Sequence, residues 1–392
     1  MNSCLKLVLL VSVGSGIMGC ARAETPFQAS PTQGTLPSST AEPTPRRSTI
    51  ATATVTQALE LRPTPFPTSL SQLPADVPVI STANASGLQP LWSRSWEDGI
   101  WRLGWSEDER FLGIGGVPGI AILGLPGMRE YRLIRDGLFD FAFTRVFDWD
   151  ILLVASSGNV KMWDLELLKP IEGYGDPEDA PYLGRLALSA DGQRLASGAI
   201  QEKDGDLQGV IHVWEVESGM KVFTINLGIC CPDGDLAFRP DGAELASTDP
   251  LERTVTFWDA ASGDRLGSIK GANVRYSPDG DFIATSAVDS VWIWLSEGRR
   301  LIRELEVKGE ELDVPLAFSP DGALFAAGFD RITIWKTENW TEVANLPVTG
   351  GTLRFLQFSP SGRYMASLTR QRTFESQDVI EEYTVTLWAA EN

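Results

Sequence analysis

The stretch FSPDGALFAAGFDRITIW, Phe318 to Trp335, recurs along the chain with variations. YSPDGDFIATSAVDSVWIW runs from Tyr276 to Trp294, and FRPDGAELASTDPLERTVTFW from Phe238 to Trp258. Repetition at a near-constant period restricts the architecture more than any other feature, because every unit must solve the same packing problem. Equivalent turns begin at Ser106, Thr144, Ser189, Arg239, Ser277, Ser319 and Ser359, at intervals of 38 to 50 residues. Turn chemistry explains the SPDG core. Proline presets φ for the second position of a type I turn, and glycine takes the left-handed position at no steric cost. The serine hydroxyl and aspartate carboxylate bond nearby backbone N–H groups. Short apolar segments flank each turn, so the motif reads as a hairpin turn between strands and not as a binding motif.

A second mark follows each turn: an alternating strand ending in Trp163, Trp214, Trp258, Trp294, Trp335 or Trp388, with Leu123 in that place in the first repeat. Another turn and a fourth strand come next, as in DAASGD and RLGSI (Asp259 to Ile269). Each unit is a meander of four short strands, too small to bury both faces of its own sheet. Radial stacking buries each face against a neighbour, and a large indole fills the space between. The segments VKMWDLELLKPI (Val160 to Ile171), IHVWEVESGMKVFTI (Ile211 to Ile225) and VTFWDAASGDRLGSI (Val255 to Ile269) resemble the WD40-repeat β-propeller family. The resemblance covers residues 88–392 and implies an all-β fold, a seven-bladed β-propeller of four-stranded blades. It also has departures. The family usually places a Gly-His pair ahead of the first strand, and its histidine bonds the blade tryptophan. This chain has one histidine, His212, in a third strand, and only Asp164 and Asp259 complete a Trp-Asp pair. The histidine-centred hydrogen-bond network is therefore expected to be absent from every blade.

Residues 1–20 read as an export signal: Lys6, an apolar run from Leu5 to Met18, and then IMGC, which resembles the lipobox of bacterial lipoproteins and implies lipidation of Cys20. Cleavage after Ala23 is the rival reading and would release a soluble, secreted protein. Residues 24–87 hold ten prolines, twelve threonines and eight serines with few large apolar residues. Such a composition cannot offset the entropy of ordering, so 21–87 is expected to be a disordered linker ahead of the propeller.

The net charge of −19 falls on the propeller, because residues 21–87 are neutral overall. That disfavours nucleic acid and anionic lipid surfaces as partners, so no nucleic acid is expected and the lipid anchor is the only membrane contact expected. In such a fold the loops between strands two and three share a rim with the loops between blades. Six acidic segments placed there, from Gly175 to Glu382, sum to −12. Solvated charge is the plain explanation; a face for cations or a basic partner is the sharper one. The two longest such loops, Ala199 to Gly209 and Arg370 to Tyr383, offer Glu202, Asp204, Asp206, Glu375, Asp378, Glu381 and Glu382 as candidate partner-binding residues.

No set of residues points to catalysis. A lone histidine excludes a His-based metal centre, and no G-x-S-x-G elbow, phosphate-binding glycine loop or dinucleotide fingerprint occurs. Cys230 and Cys231 are adjacent, with Cα atoms about 3.8 Å apart across a trans peptide. They stand either as two thiols or as a strained vicinal bridge. The reading is a monomeric, non-enzymatic scaffold without cofactor or metal, anchored in the cell envelope and binding another protein or an extracellular polymer. The alternatives are a hydrolase or lyase at the mouth of the channel, and an outer-membrane assembly lipoprotein. The seventh repeat ends after three strands, so LQPLWSRS (Leu88 to Ser95) is expected to supply the fourth.

Overall fold

The computed structural model describes residues 73–391, apart from 75, 135–139, 147–148, 157–158, 168, 172, 174–181, 204–205, 229–233, 308, 310–313 and 376–377. Seven four-stranded antiparallel sheets follow one another around a ring. Blade 4 is typical: Leu236–Phe238 is innermost, followed outward by Glu244–Asp249, Thr254–Asp259 and Arg265–Lys270. The SPDG turns join the first and second strands and define a lower rim. The hairpins between the second and third strands define the upper one.

The turns are built as their chemistry predicts. The hydroxyls of Ser106, Ser189, Ser277 and Ser319 donate to the aspartate two residues on, at 2.5–2.8 Å. Each also accepts the backbone N–H five residues on, at 2.9 Å. Gly192, Gly242, Gly280, Gly322 and Gly362 hold φ of 68–77°, the left-handed region. In blade 1 Glu109 occupies that position at φ 57°. Its carboxylate accepts the N–H of Ser361 in the blade 7 turn, across the junction between the first and last blades.

The core is divided into clusters that each bridge two successive blades. Trp214 and Val216 of blade 3 pack with Ile151 and Leu153 of blade 2, and Trp335 and Phe325 of blade 6 with Ile293 of blade 5. Trp163, Trp258, Trp294 and Trp388 are likewise set against the preceding blade. Between blades 7 and 1 the tryptophan place is taken by Leu123, and Trp92, Trp105, Met128 and Tyr364 fill the space. The indole N–H groups are nonetheless not left to packing alone. The histidine-centred network is missing, but half of the bonding remains: Trp214, Trp258, Trp294 and Trp388 donate to Ser197, Ser247, Thr285 and Ser367 at 2.8–3.0 Å. A hydroxyl on the second strand satisfies the buried donor without any histidine. His212 is buried, shares a 2.9 Å hydrogen bond between Nδ1 and the Thr224 hydroxyl, and meets Trp214 edge-on.

Closure follows the expectation from the truncated seventh repeat. Leu88–Trp96 pairs antiparallel with Asp378–Ala390, from Leu88 opposite Ala390 to Trp96 opposite Tyr383. It forms the outermost strand of blade 7, outside Asp378–Ala390, Met365–Glu375 and Thr352–Phe358. The linker boundary, by contrast, lies earlier than residue 87. Leu73, Val77, Ile80 and Ala85 are 0–7% exposed. Leu73 and Val77 join the core between blades 7 and 1, and Ile80 and Ala85 that between blades 6 and 7. The Leu73 and Ile80 N–H groups donate to Pro126 and Gly362, each at 2.9 Å, which lays the segment along the lower rim. A few apolar residues spaced through a Pro-rich stretch suffice to dock it once a preformed surface is present. Residues 21–72 lie outside the described residues.

Burying a Leu, Val or Ile side chain contributes about 1.5–3 kcal/mol. A chain starting at Leu73 should therefore melt with the full-length protein, whereas one starting at Ala85 should lose several kcal/mol. A start at Trp96 removes the closing strand and should cost more again. Thermal unfolding of the three chains checks this, and equal melting temperatures for the Leu73 and Ala85 starts would refute the docking.

Candidate interaction surface

The two long segments between strands two and three are not irregular loops. In blade 7 Met365–Glu375 and Asp378–Ala390 stay in register out to Glu375 opposite Asp378. In blade 3 Arg194–Lys203 and Asp206–Glu215 stay paired to Lys203 opposite Asp206. Strands of 10 to 13 residues thus rise above a rim where the second and third strands of blades 4 to 6 have five or six. Continued alternation of side chains and a short turn extend the ladder where sequence reading expected a loop.

Beyond Arg370 the blade 7 hairpin has no neighbour on its inner side, since Thr352 opposite Arg370 ends that ladder. On its outer side the ladder ends at Trp96 opposite Tyr383. The tip therefore stands free. It exposes Phe374 at 76%, Val379 at 54% and Ile380 at 46%. Phe374 and Val379 are directly opposed, two rungs above Arg372 and Glu381, which form a 2.6 Å ion pair. Below them Tyr383 donates to Glu381 at 2.5 Å, and Arg370 is 3% exposed. Burial, together with this bond to a carboxylate, pushes the Tyr383 hydroxyl up to about 12. Burial works against ionisation of Glu381, but Tyr383, Arg372 and Arg370 outweigh it and hold the carboxyl below its ordinary range. The hairpin is an apolar tip on a stalk locked by charge.

Of the candidates named from sequence, Glu381 serves the stalk and Glu382 and Glu202 are exposed. Glu375, Asp378 and Asp206 sit at hairpin ends, while Asp204, Cys20, Cys230 and Cys231 lie outside the described residues. Blades 1 and 2 separate the two hairpins, so their acidic residues do not form one patch. Two charged residues of the segments placed on that rim are not solvated: Asp235 is 15% exposed and ion-paired with Arg275, and the cation Arg370 is 3% exposed beside Glu381.

Sequence reading also missed a charged set around the channel. Arg102, Asp140, Arg185 and Asp235 each lie four residues before the first residue of their turn, the first three on the innermost strands of blades 1 to 3 and Asp235 immediately before that of blade 4. Asp140 is fully buried, 2.9 Å from Arg102 Nε, and accepts the N–H groups of Phe141 and Leu186. Burial pushes the Arg102 guanidinium below its ordinary value; Asp140 opposes this, and the charges of Arg185 and Arg275 add to it. Superimposing the repeats on their turns would have exposed these residues as charges in otherwise apolar strands. Among the described residues no group of three or more His, Cys, Asp or Glu could hold a metal ion, and no helix is long and apolar enough to cross a membrane.

No family model matches the chain. Over 122 residues it is 38% identical to mouse echinoderm microtubule-associated protein-like 3, covering 28% of this chain and 14% of that protein. An uncharacterised WD repeat-containing protein of Synechocystis is 30% identical over 147 residues, 36% of this chain and 39% of its own length. The Arabidopsis transcriptional corepressor LEUNIG_HOMOLOG is 25% identical over 224 residues, 55% of this chain and 27% of the corepressor. The chain thus spans 14–39% of the length of these curated relatives. Together with the seven four-stranded blades, these similarities support a β-propeller of the WD40-repeat type.

The Glu381 cluster has a definite pH signature. A carboxylate with a depressed folded value adds stability that is present above its unfolded value, about 4.3, and is lost as pH falls through the folded one. Glu381→Gln should flatten the acid limb of stability between about pH 5 and 3, by no more than about 1 kcal/mol for so solvent-accessible a pair. Urea midpoints across that range check it, and superimposable curves for both proteins would count against the cluster.

Proposed function

We propose that this propeller is a non-enzymatic interaction scaffold that captures another protein or an extracellular polymer on its upper rim, chiefly through the blade 7 hairpin. The observation that carries the reading is the exposed tip, Phe374 with Val379 and Ile380, raised on a stalk whose geometry is set by Arg372, Glu381 and Tyr383. Exposed aromatic residues on a rigid support are the usual anchors of recognition. Relatives named as a microtubule-associated protein-like protein and a transcriptional corepressor favour protein partners over small substrates. The carboxylates at the channel are already committed to guanidinium and backbone N–H groups, which favours the scaffold over a hydrolase or lyase there.

The second part of the proposal is location: export, with a lipid on Cys20 holding the propeller at the cell envelope. It rests on the lipobox-like IMGC and the Pro/Thr/Ser-rich stretch that follows.

Cross-linking in intact cells followed by mass spectrometry tests the surface. A variant joining Arg370 to Tyr383 through Asn-Gly should lose most captured partners while staying folded, melting only slightly below the wild type because the Glu381 cluster goes with the tip. Equal capture by both proteins would move the site elsewhere. Acyl labelling tests the anchor. Label should appear on Cys20 and vanish in Cys20→Ala, and an unlabelled wild-type protein partitioning into the aqueous phase would exclude lipidation.

A further inference from the structure

We propose that the outer edge of the blade 7 hairpin, Asp378 to Glu382, receives a basic, extended segment of a partner protein as an added β-strand. The proposal rests on the reading of this hairpin as the capture surface and names the chemistry of the partner. The closing strand stops with Trp96 opposite Tyr383, and among the described residues no strand pairs with the outer edge above that point. Five residues of bare edge offer about 16 Å of ladder.

Backbone direction on this edge follows from the ladder. The Thr352 hydroxyl donates to the Arg370 carbonyl at 3.3 Å, so the Arg370 backbone faces inward, away from Tyr383. Direction alternates along an antiparallel pair. Arg372 and Phe374 therefore face inward too, and opposite them Glu381 and Val379 turn their N–H and C=O groups to the outer edge. The intervening pairs, Gln371 with Glu382 and Thr373 with Ile380, hold the hairpin itself together.

Side chains and charge select the occupant. An edge that only needed protection from aggregation would carry charge throughout, whereas Val379 and Ile380 stand exposed side by side here. Around them the edge strand has Asp378, Glu381 and Glu382 and no base, and the exposed Glu97 and Asp98 follow Trp96 where the closing ladder ends. Arg372 is the one base from 371 to 382, and it is paired with Glu381. A second copy of this chain would set acids against acids across the new ladder, which is destabilising. A strand with two apolar residues flanked by lysine or arginine matches the row instead. Main-chain bonds supply affinity in such an addition, and the side-chain pattern supplies specificity.

Fluorescence anisotropy of the full chain at low ionic strength tests this with a labelled, capped peptide, Thr-Lys-Lys-Val-Val-Lys-Thr. Two control peptides carry glutamate in place of lysine, or methyl groups on both valine nitrogens. Saturable binding of the basic peptide is expected, weakened about tenfold or more in each control. Val379→Pro removes an outward N–H and none of the hairpin's own bonds, so it should weaken the basic peptide about tenfold or more relative to Val379→Ala. Equal binding of the methylated peptide refutes strand addition, and equal binding of the glutamate peptide refutes the basic partner. Should Val379→Pro not fold, the methylated peptide decides. A dimer of the chain in sedimentation that Val379→Pro dissociates would give the edge to a second copy and overturn the proposal. No binding of the basic peptide overturns it as well, and partner capture in cells that still depends on the tip would then leave the scaffold reading standing.

Discussion

The ladder between Leu88–Trp96 and Asp378–Ala390 is the interaction on which the molecule depends. A blade of this size has no core of its own, so each sheet is stable only because the next one covers it. In an open array the two end faces would lie bare. Pairing the start of the domain with its end removes both faces at once, at the entropic cost of closing a loop of nearly the whole domain. That cost grows slowly with loop length, whereas each interface formed adds a full apolar cluster. The fold is therefore expected to be cooperative around the ring and slow to form, since its decisive contact is the most distant in sequence.

The seventh interface differs from the other six in a way that suits this role. Elsewhere an indole lies against the preceding blade, and four of the six have a hydroxyl partner for the ring N–H. Between blades 7 and 1 there is a leucine, surrounded by residues the repeat does not supply: Trp92 from the closing strand, and Leu73 and Val77 from the segment before it. Glu109 accepts a left-handed backbone there and reaches the Ser361 N–H of blade 7. The closing seam is thus assembled from non-repeating parts, which fixes where the ring begins and ends.

Turns, tryptophans, blade count and closure were legible in the sequence because each is local or repeats. A Ser-Pro-Asp-Gly run means the same turn wherever it stands, and a missing fourth strand can be counted. The hydroxyls that receive the indole N–H groups were less visible, since Ser197 or Thr285 in a strand looks like any small polar residue until the register places it two positions from the tryptophan. The docked segment from Leu73 to Ala85 was misread because composition averages over a window, whereas docking turns on three or four side chains and a surface contributed by distant blades. The channel charges escaped for a related reason. Each arginine or aspartate looked isolated, and only the ring brings Arg102, Asp140, Arg185 and Asp235 to one level.

The docked segment also determines how the domain would respond to a pull. Leu73, where the described chain begins, is docked on the lower rim, opposite the raised hairpins. Any tension applied there must first break the N–H contacts to Pro126 and Gly362 and extract Leu73, Val77 and Ile80 before reaching Leu88. The ladder that keeps the ring shut is mechanically in series behind that sacrificial patch. A propeller pulled from this end would yield there first, releasing residues 73–87 while the blades stay closed.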